Sequence, residues 1–150
     1  MTPPHSDTRP LAGVTVLDFS TLLPGPLATL MLAEAGARVI KIERPGGEDM
    51  RFHGPIVGEG RDAMSAYYAL LNRGKEIFTV DLKSADAVEV LRPLIESADV
   101  VMEQFRPGVM ERLGFGFEAL SAINPRLVYC AITGYGRSGP RAAQPGHDLN

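Results

Sequence analysis

Gly146-His147-Asp148-Leu149-Asn150 sets a histidine on a glycine-marked turn at the end of the chain. An imidazole titrates near neutrality, so it can take up a proton and return it at constant pH. Moving a proton in both directions needs a second group, and nothing after Asn150 is present to supply one. The expectation is half of an active site, in a chain inactive by itself. Taken alone, a histidine on a turn also serves structure. Asp148 beside it is placed to orient the ring or cap a following helix, and since adjacent residues do not generally face one another, a His147–Asp148 catalytic dyad is not expected. His5 in a polar arm and His53 in a polar loop need only surface roles.

A second set of residues is cationic. Arg44, Lys83 and Arg106 each follow an apolar run directly, and Arg137 lies in the segment after another. If those runs are parallel strands, ligands bind beyond their carboxyl ends, and cations converging there suit an anionic, phosphate-bearing ligand. Singly, each also reads as a solvated surface charge. Arg106 stands before Pro107, a natural helix start, and Arg112 lies six residues on; a helix N-terminus with two arginines would cradle phosphate. Gly134-Tyr135-Gly136-Arg137-Ser138-Gly139 has the spacing of a dinucleotide fingerprint, but Pro140 and Pro145 follow where that fingerprint needs a helix. A glycine-rich loop approaching a ligand closely fits better. Asp81 and Glu103 each end a strand; nothing in their spacing brings them together, which points to ion-pairing or capping. Cys130, inside an apolar run, reads as a buried, inert thiol.

The elements that must position these residues alternate. Residues 14–19, 37–43, 76–82, 99–105 and 127–133 read as strands, β-branched and nearly continuously apolar. Between them residues 27–35, 63–71, 107–113 and 117–123 read as helices, with Pro26 at a first helical position and Gly36 closing the first of them. A further helix starts at Ser84 as cap and should kink or shorten at Pro93. Residues 44–62 form a long polar loop. This alternation predicts an α/β fold, a parallel sheet with helices on both faces.

Composition excludes several classes. The first 75 residues carry eight basic and eight acidic side chains and the rest seven and ten, so no basic field exists for nucleic acid. A single cysteine rules out a disulfide framework. No apolar stretch approaches the roughly 20 residues that span a bilayer, residues 1–10 lack the apolar core of a signal peptide, and no metal-ligand cluster is seen. The expectation is a loose arm over residues 1–10, one domain over 11–150, and a cytoplasmic protein.

Together these segments resemble the family III CoA-transferases. Leu23-Pro24-Gly25-Pro26, Ala35-Gly36-Ala37-Arg38-Val39-Ile40-Lys41-Ile42-Glu43-Arg44-Pro45, Asn72-Arg73-Gly74-Lys75, Val80-Asp81-Leu82-Lys83, Phe105-Arg106-Pro107-Gly108-Val109, Glu111-Arg112-Leu113-Gly114 and Thr133-Gly134-Tyr135-Gly136 carry the likeness in order. Gly146-His147-Asp148 is similar to the alpha-methylacyl-CoA racemase branch. The resemblance implies a Rossmann-like CoA-binding domain, the N-terminal part of the large domain of an interlocked homodimer, whose second domain and returning tail are absent. It implies an acyl-CoA substrate and no separate cofactor. Carried over by position, Arg44, Val80, Asp81, Leu82 and Lys83 hold the nucleotide end, and Arg106 and Arg112 lie near its phosphates. Gly146, Asp148, Leu149 and Asn150 line the thioester, with His147 catalytic.

The leading expectation is a 2-methylacyl-CoA racemase, with His147 and an aspartate beyond residue 150 on opposite faces of the alpha carbon. The alternative is an acyl-CoA:carboxylate CoA-transferase in which that aspartate is the nucleophile and His147 is structural. A non-catalytic CoA-binding module is a third.

Overall fold

The computed structural model describes residues 8–60 and 63–146. Its central sheet is parallel and five-stranded. In chain order its strands are β1 (Thr15–Asp18), β2 (Arg38–Glu43), β5 (Glu76–Thr79), β6 (Val100–Glu103) and β7 (Val128–Ala131), and in space they run β5-β2-β1-β6-β7. The first strand is thus central, and the strand order reverses at the β1–β6 boundary. Helices α1 (Pro24–Glu34), α2 (Ala66–Leu71), α3 (Ala87–Ser97), α4 (Val109–Arg112) and α5 (Phe117–Ile123) make the connections. None of these is long and apolar enough to cross a membrane.

The three inner strands β1, β2 and β6 are largely buried on both sides, while the edge strands β5 and β7 stay partly exposed, and successive side chains serve different layers. Leu17, Phe19, Ile40, Ile42 and Val101 pack against Leu91 and Ile95 of α3, Met110 of α4 and Leu120 of α5. Burying a side chain of this size stabilises by about 1.5–3 kcal/mol each. Val16 and Val39 face the other way, against Leu32 and Ala33 of α1. Further along, that second face is not apolar. Asp18, Lys41 and Glu43 are all buried there, and Asp18 lies directly beside Lys41 in the β1–β2 register.

Four local expectations change. Helix α1 begins at Pro24, not after Pro26, with Leu23 as its N-cap, because proline fits any position of the first turn, where an N–H lacks an intrahelical acceptor. Ser84 does not cap α3; the residue before the helix is Asp86, and Ser84 sits in the preceding turn, its N–H bonded to the Asp81 carbonyl. Helix α3 runs through Pro93 to Ser97. Its buried stripe of Ala87, Leu91 and Ile95 packs on the core, and Asn124 Nδ2 donates to the carbonyls of Ile95 and Ala98 at its end. Finally, the long loop is partly regular. It holds a 3₁₀ turn (Asp49–Phe52), and β3 (Ile56–Val57) pairs antiparallel with β4 (Met64–Ser65). Cys130 is half-buried, since β7 is an edge of the described sheet.

Candidate functional site

A crevice of about 540 Å³ opens beyond the carboxyl ends of the strands. Its lining follows the sheet order. Asp81, Leu82 and Lys83 come from the turn after β5, and Arg44, Glu48 and Asp49 from the loop after β2. Phe19 and Thr21 follow from β1, then Phe105 from beyond β6. Four strand ends at ordinary spacing span roughly 14 Å. The two cations, Arg44 and Lys83, therefore stand at the β5–β2 end among the carboxylates of Glu43, Glu48, Asp49 and Asp81, and the β1–β6 end carries Phe19, Thr21 and Phe105 with no charged side chain.

Arg44 and Lys83 are brought together as the sequence suggests. Arg44 is exposed; its Nη2 donates to Asp49 Oδ1 at 2.5 Å and its Nε to the Gly47 carbonyl at 2.8 Å. Asp81 turns its carboxylate back on the Lys83 N–H at 3.0 Å, which shapes the turn and leaves the lysine ammonium to the solvent side. Val80 is not part of the lining. Its N–H continues the β2–β5 ladder by donating to the Glu43 carbonyl.

The other cations disperse. Arg106 and Arg112 are exposed and outside the crevice wall, although their neighbours Phe105 and Leu113 line it. Helix α4 starts at Val109, and its first N–H is already bonded to the Arg106 carbonyl, so that donor is used within the chain. Arg137 pairs with Glu111 over a separate cavity of about 580 Å³ beside β7. The GxGxxG segment continues as turns without a helix, and Thr133 Oγ1 accepts the Gly136 N–H. Gly146 does reach the site side of the sheet, crossing Gly134 so closely that an added Cβ on Gly134 would lie 2.6 Å from the Gly146 Cα. His147, Asp148, Leu149 and Asn150 lie outside the described residues.

The first helix of this fold commonly receives a pyrophosphate at its N-terminus. Here it cannot. Pro24 and Pro26 have no N–H, Gly25 donates to Gln104 Oε1 at 2.9 Å, and Leu27 donates to the Leu23 carbonyl. Gln104 Nε2 also reaches the Thr21 carbonyl at 2.5 Å, so one side chain bridges the crevice between β1 and β6. Gly25 permits this, because an added Cβ would lie 2.6 Å from Gln104 Oε1.

Below the crevice is a buried polar network that the sequence reading missed. Lys75 Nζ donates to Thr29 Oγ1 (2.7 Å), the Pro26 carbonyl (2.9 Å), Asn72 Oδ1 (3.0 Å) and Asp18 Oδ2 (3.2 Å). Asp18 also accepts from the Ser20 N–H and from the Ser20 and Thr29 hydroxyls. Lys41 Nζ bonds the Ser20 carbonyl and pairs with Glu48 Oε1, both at 2.7 Å. Glu43 accepts from Tyr68 Oη (2.5 Å) and Arg51 Nε (2.9 Å), and the Arg51 guanidinium lies over the Tyr68 ring. Burial and the Glu43 carboxylate push the Tyr68 hydroxyl well above its usual range. One signal was available: an acid and a base interrupting two strands otherwise apolar on both faces.

Glu103 is also buried, with Oε2 accepting the Phe105 N–H at 2.7 Å. Burial raises its carboxyl above the ordinary value near 4.5. The folded protein therefore holds this proton more tightly than the unfolded chain, and stability falls as pH rises through the gap between the two values. Glu103→Gln is expected to be nearly neutral at pH 4 and stabilising at pH 7, as read from denaturant midpoints at both. An equal change at the two pH values would contradict this.

The sequence model of CoA-transferase family III matches residues 11–150. The chain is 44% identical to the acetyl-CoA:oxalate CoA-transferase of Acetobacter aceti, over 98% of its own length and 37% of that protein's. It is 41% identical to the human succinyl-CoA:glutarate CoA-transferase, over 97% of its length and 33% of the relative's. The crystal structure of a CAIB/BAIF family protein from Brucella suis superposes with a TM-score of 0.88 at 40% identity, covering 93% of this chain and 37% of that one. The chain thus spans little more than a third of the proteins it matches.

Proposed function

The chain belongs to CoA-transferase family III, and from that premise we propose that the protein carrying it moves coenzyme A from an acyl-CoA thioester to a free carboxylate. The observation that carries this is the similarity, over nearly the whole chain, to proteins named for that transfer. The racemase expectation has no such support. It rests on Gly146-His147-Asp148 alone, and His147 then becomes a local structural residue.

The polarity of the crevice agrees with such a ligand. Phosphates of the nucleotide end meet Arg44 and Lys83, and the uncharged thioester arm runs over the β1 and β6 ends past Thr21 and Phe105. Helix α1 offers no competing phosphate site, since its first-turn donors are absent or used. The nucleophile implied by the family resemblance is an aspartate outside this chain. It would attack the thioester carbonyl and expel CoA thiolate, leaving a mixed anhydride. The thiolate would then return to the enzyme's own acyl carbon, releasing the donor carboxylate. The acceptor carboxylate reverses both steps. The protein is expected to act on acyl-CoA as an interlocked homodimer.

The test is incubation of the complete protein with acetyl-CoA or succinyl-CoA and a panel of mono- and dicarboxylates, with products read by mass spectrometry. New acyl-CoA formed only with a carboxylate present, and an enzyme–CoA adduct, are expected. Deuterium uptake at the alpha carbon from D2O without any carboxylate would instead establish the racemase. In the same assay, Arg44→Ala and Lys83→Ala should each raise KM for acyl-CoA about three- to tenfold with kcat little changed. The effect should shrink as added salt screens these exposed charges.

A further inference from the structure

We propose, resting on the CoA-transferase reading, that Glu48 is a positioning residue: its buried carboxylate holds Leu22 in a left-handed backbone conformation and so fixes residues 21–23 as a specificity wall at the acyl end of the crevice.

Leu22 is the one non-glycine among the described residues with positive φ, at 61°. For a leucine that conformation is strained and persists only where the surroundings impose it. Here they do. The Leu22 N–H donates to Glu48 Oε2 at 2.7 Å. Glu48 Oε1 has no well-angled hydrogen bond and is held instead by the Lys41 ammonium at 2.7 Å. Both side chains are closed to solvent, Lys41 at 0% and Glu48 at 3% exposure. Lys41 also grips the Ser20 carbonyl, and Gln104 grips the Thr21 carbonyl and the Gly25 N–H.

What this clamp displays is apolar. Leu22 and Leu23 are 44% and 46% exposed on a segment held by the buried Lys41 and Glu48 and by the half-buried Gln104. A loop needed only to join β1 to α1 would relax the strain and turn its leucines inward. Thr21, next to them, lines the crevice at the end away from Arg44 and Lys83. A ligand anchored at those cations directs its other end here. Two exposed leucines on a rigid backbone discriminate by size among acyl groups, where even a single methylene can change relative rates about 10-fold or more.

Two variants of the complete protein test this. Leu22→Gly removes the strain and the side chain, and leaves the buried charges intact. Glu48→Ala releases the Leu22 N–H. For each, kcat/KM is measured across acyl-CoA donors of increasing chain length, and free CoA binding is measured by calorimetry. Donor preference is expected to flatten at least fivefold in both, with the Kd for free CoA, which has no acyl group, within twofold of wild type. Leu22→Gly is also expected to unfold no earlier than wild type. Should Glu48→Ala fail to fold, Leu22→Gly carries the test alone. Unchanged donor preference in an active Leu22→Gly overturns the proposal, as does a loss of free CoA binding equal to the loss of acyl-CoA binding. A wild-type protein that neither binds CoA nor transfers it overturns the CoA-transferase reading itself.

Discussion

Lys75→Met is expected to cost about 3–5 kcal/mol of folding stability, because it leaves a carboxylate buried without its ammonium. Both side chains of the Lys75–Asp18 pair are fully closed to solvent. Asp18 would keep only the Ser20 and Thr29 donors. Guanidinium unfolding midpoints measure the loss, and Asp18→Asn combined with Lys75→Met should recover most of it, since removing both charges leaves none uncompensated. A loss below about 1 kcal/mol would mean that neutral donors suffice for Asp18.

The ammonium is itself under strain of burial. Desolvation lowers the Lys75 pKa below the ordinary 10.5, against the opposing pull of Asp18. The unfolded chain then holds this proton to higher pH than the folded one, so this group adds stability as pH climbs from the folded value toward 10.5. The methionine variant should lack that rise.

Gly134→Ala is the second large effect, and it should appear in rate with little change in stability. Gly134 has no positive φ, so alanine is tolerated by its backbone. The obstacle is space: the new Cβ would lie 2.6 Å from the Gly146 Cα and 2.9 Å from its nitrogen. Backbone atoms cannot swing aside as a side chain can, so the strand exit or the returning chain must move. If Gly146 lines the thioester, as the family resemblance implies, a displacement near 1 Å there would cost about 100-fold in rate. Transfer kcat/KM should fall by that order while the unfolding midpoint shifts little. Gly136→Ala is the control. It meets nothing within 4 Å but has φ at 82°, so it should cost some loop stability and far less rate. Equal rate losses in the two would argue against a site at the Gly134–Gly146 crossing.

Much of the framework is legible in sequence. Val39-Ile40 and Val100-Val101 are β-branched runs between glycine, proline or helical segments, and each became a strand. Loop chemistry was legible where neighbours decide it, as with Asp81 folding back on Lys83. Arg44, Asp81, Leu82 and Lys83 share one crevice because each follows a strand of the same parallel sheet. The same rule overreached for Arg106 and Arg137, since leaving a strand end does not determine which way a long side chain turns; Glu111 claims Arg137. Pairings between distant residues were not legible. Nothing local to Gln104 announces that it will bridge Thr21 and Gly25, and nothing local to Lys75 announces Asp18. Such pairs follow from register and packing, which spacing along one chain does not encode. Pro93 was misjudged for a related reason: burial of Leu91 and Ile95 outweighs one missing intrahelical bond.

The central place of β1 has a consequence for how the chain is made. Its right-hand neighbour in the sheet is β6, and the Thr15 N–H bonds to the Asp99 carboxylate 84 residues away. On the ribosome, at about 5–20 residues per second, β1 waits roughly 4–17 s for that partner to be synthesised. Throughout that interval it can pair only with β2, and one edge of its hydrophobic ladder stays open. Val16 and Leu17, wholly enclosed in the finished sheet, are then the residues a chaperone would meet first, and slowing translation between residues 43 and 100 should lengthen the time the nascent chain is prone to aggregate.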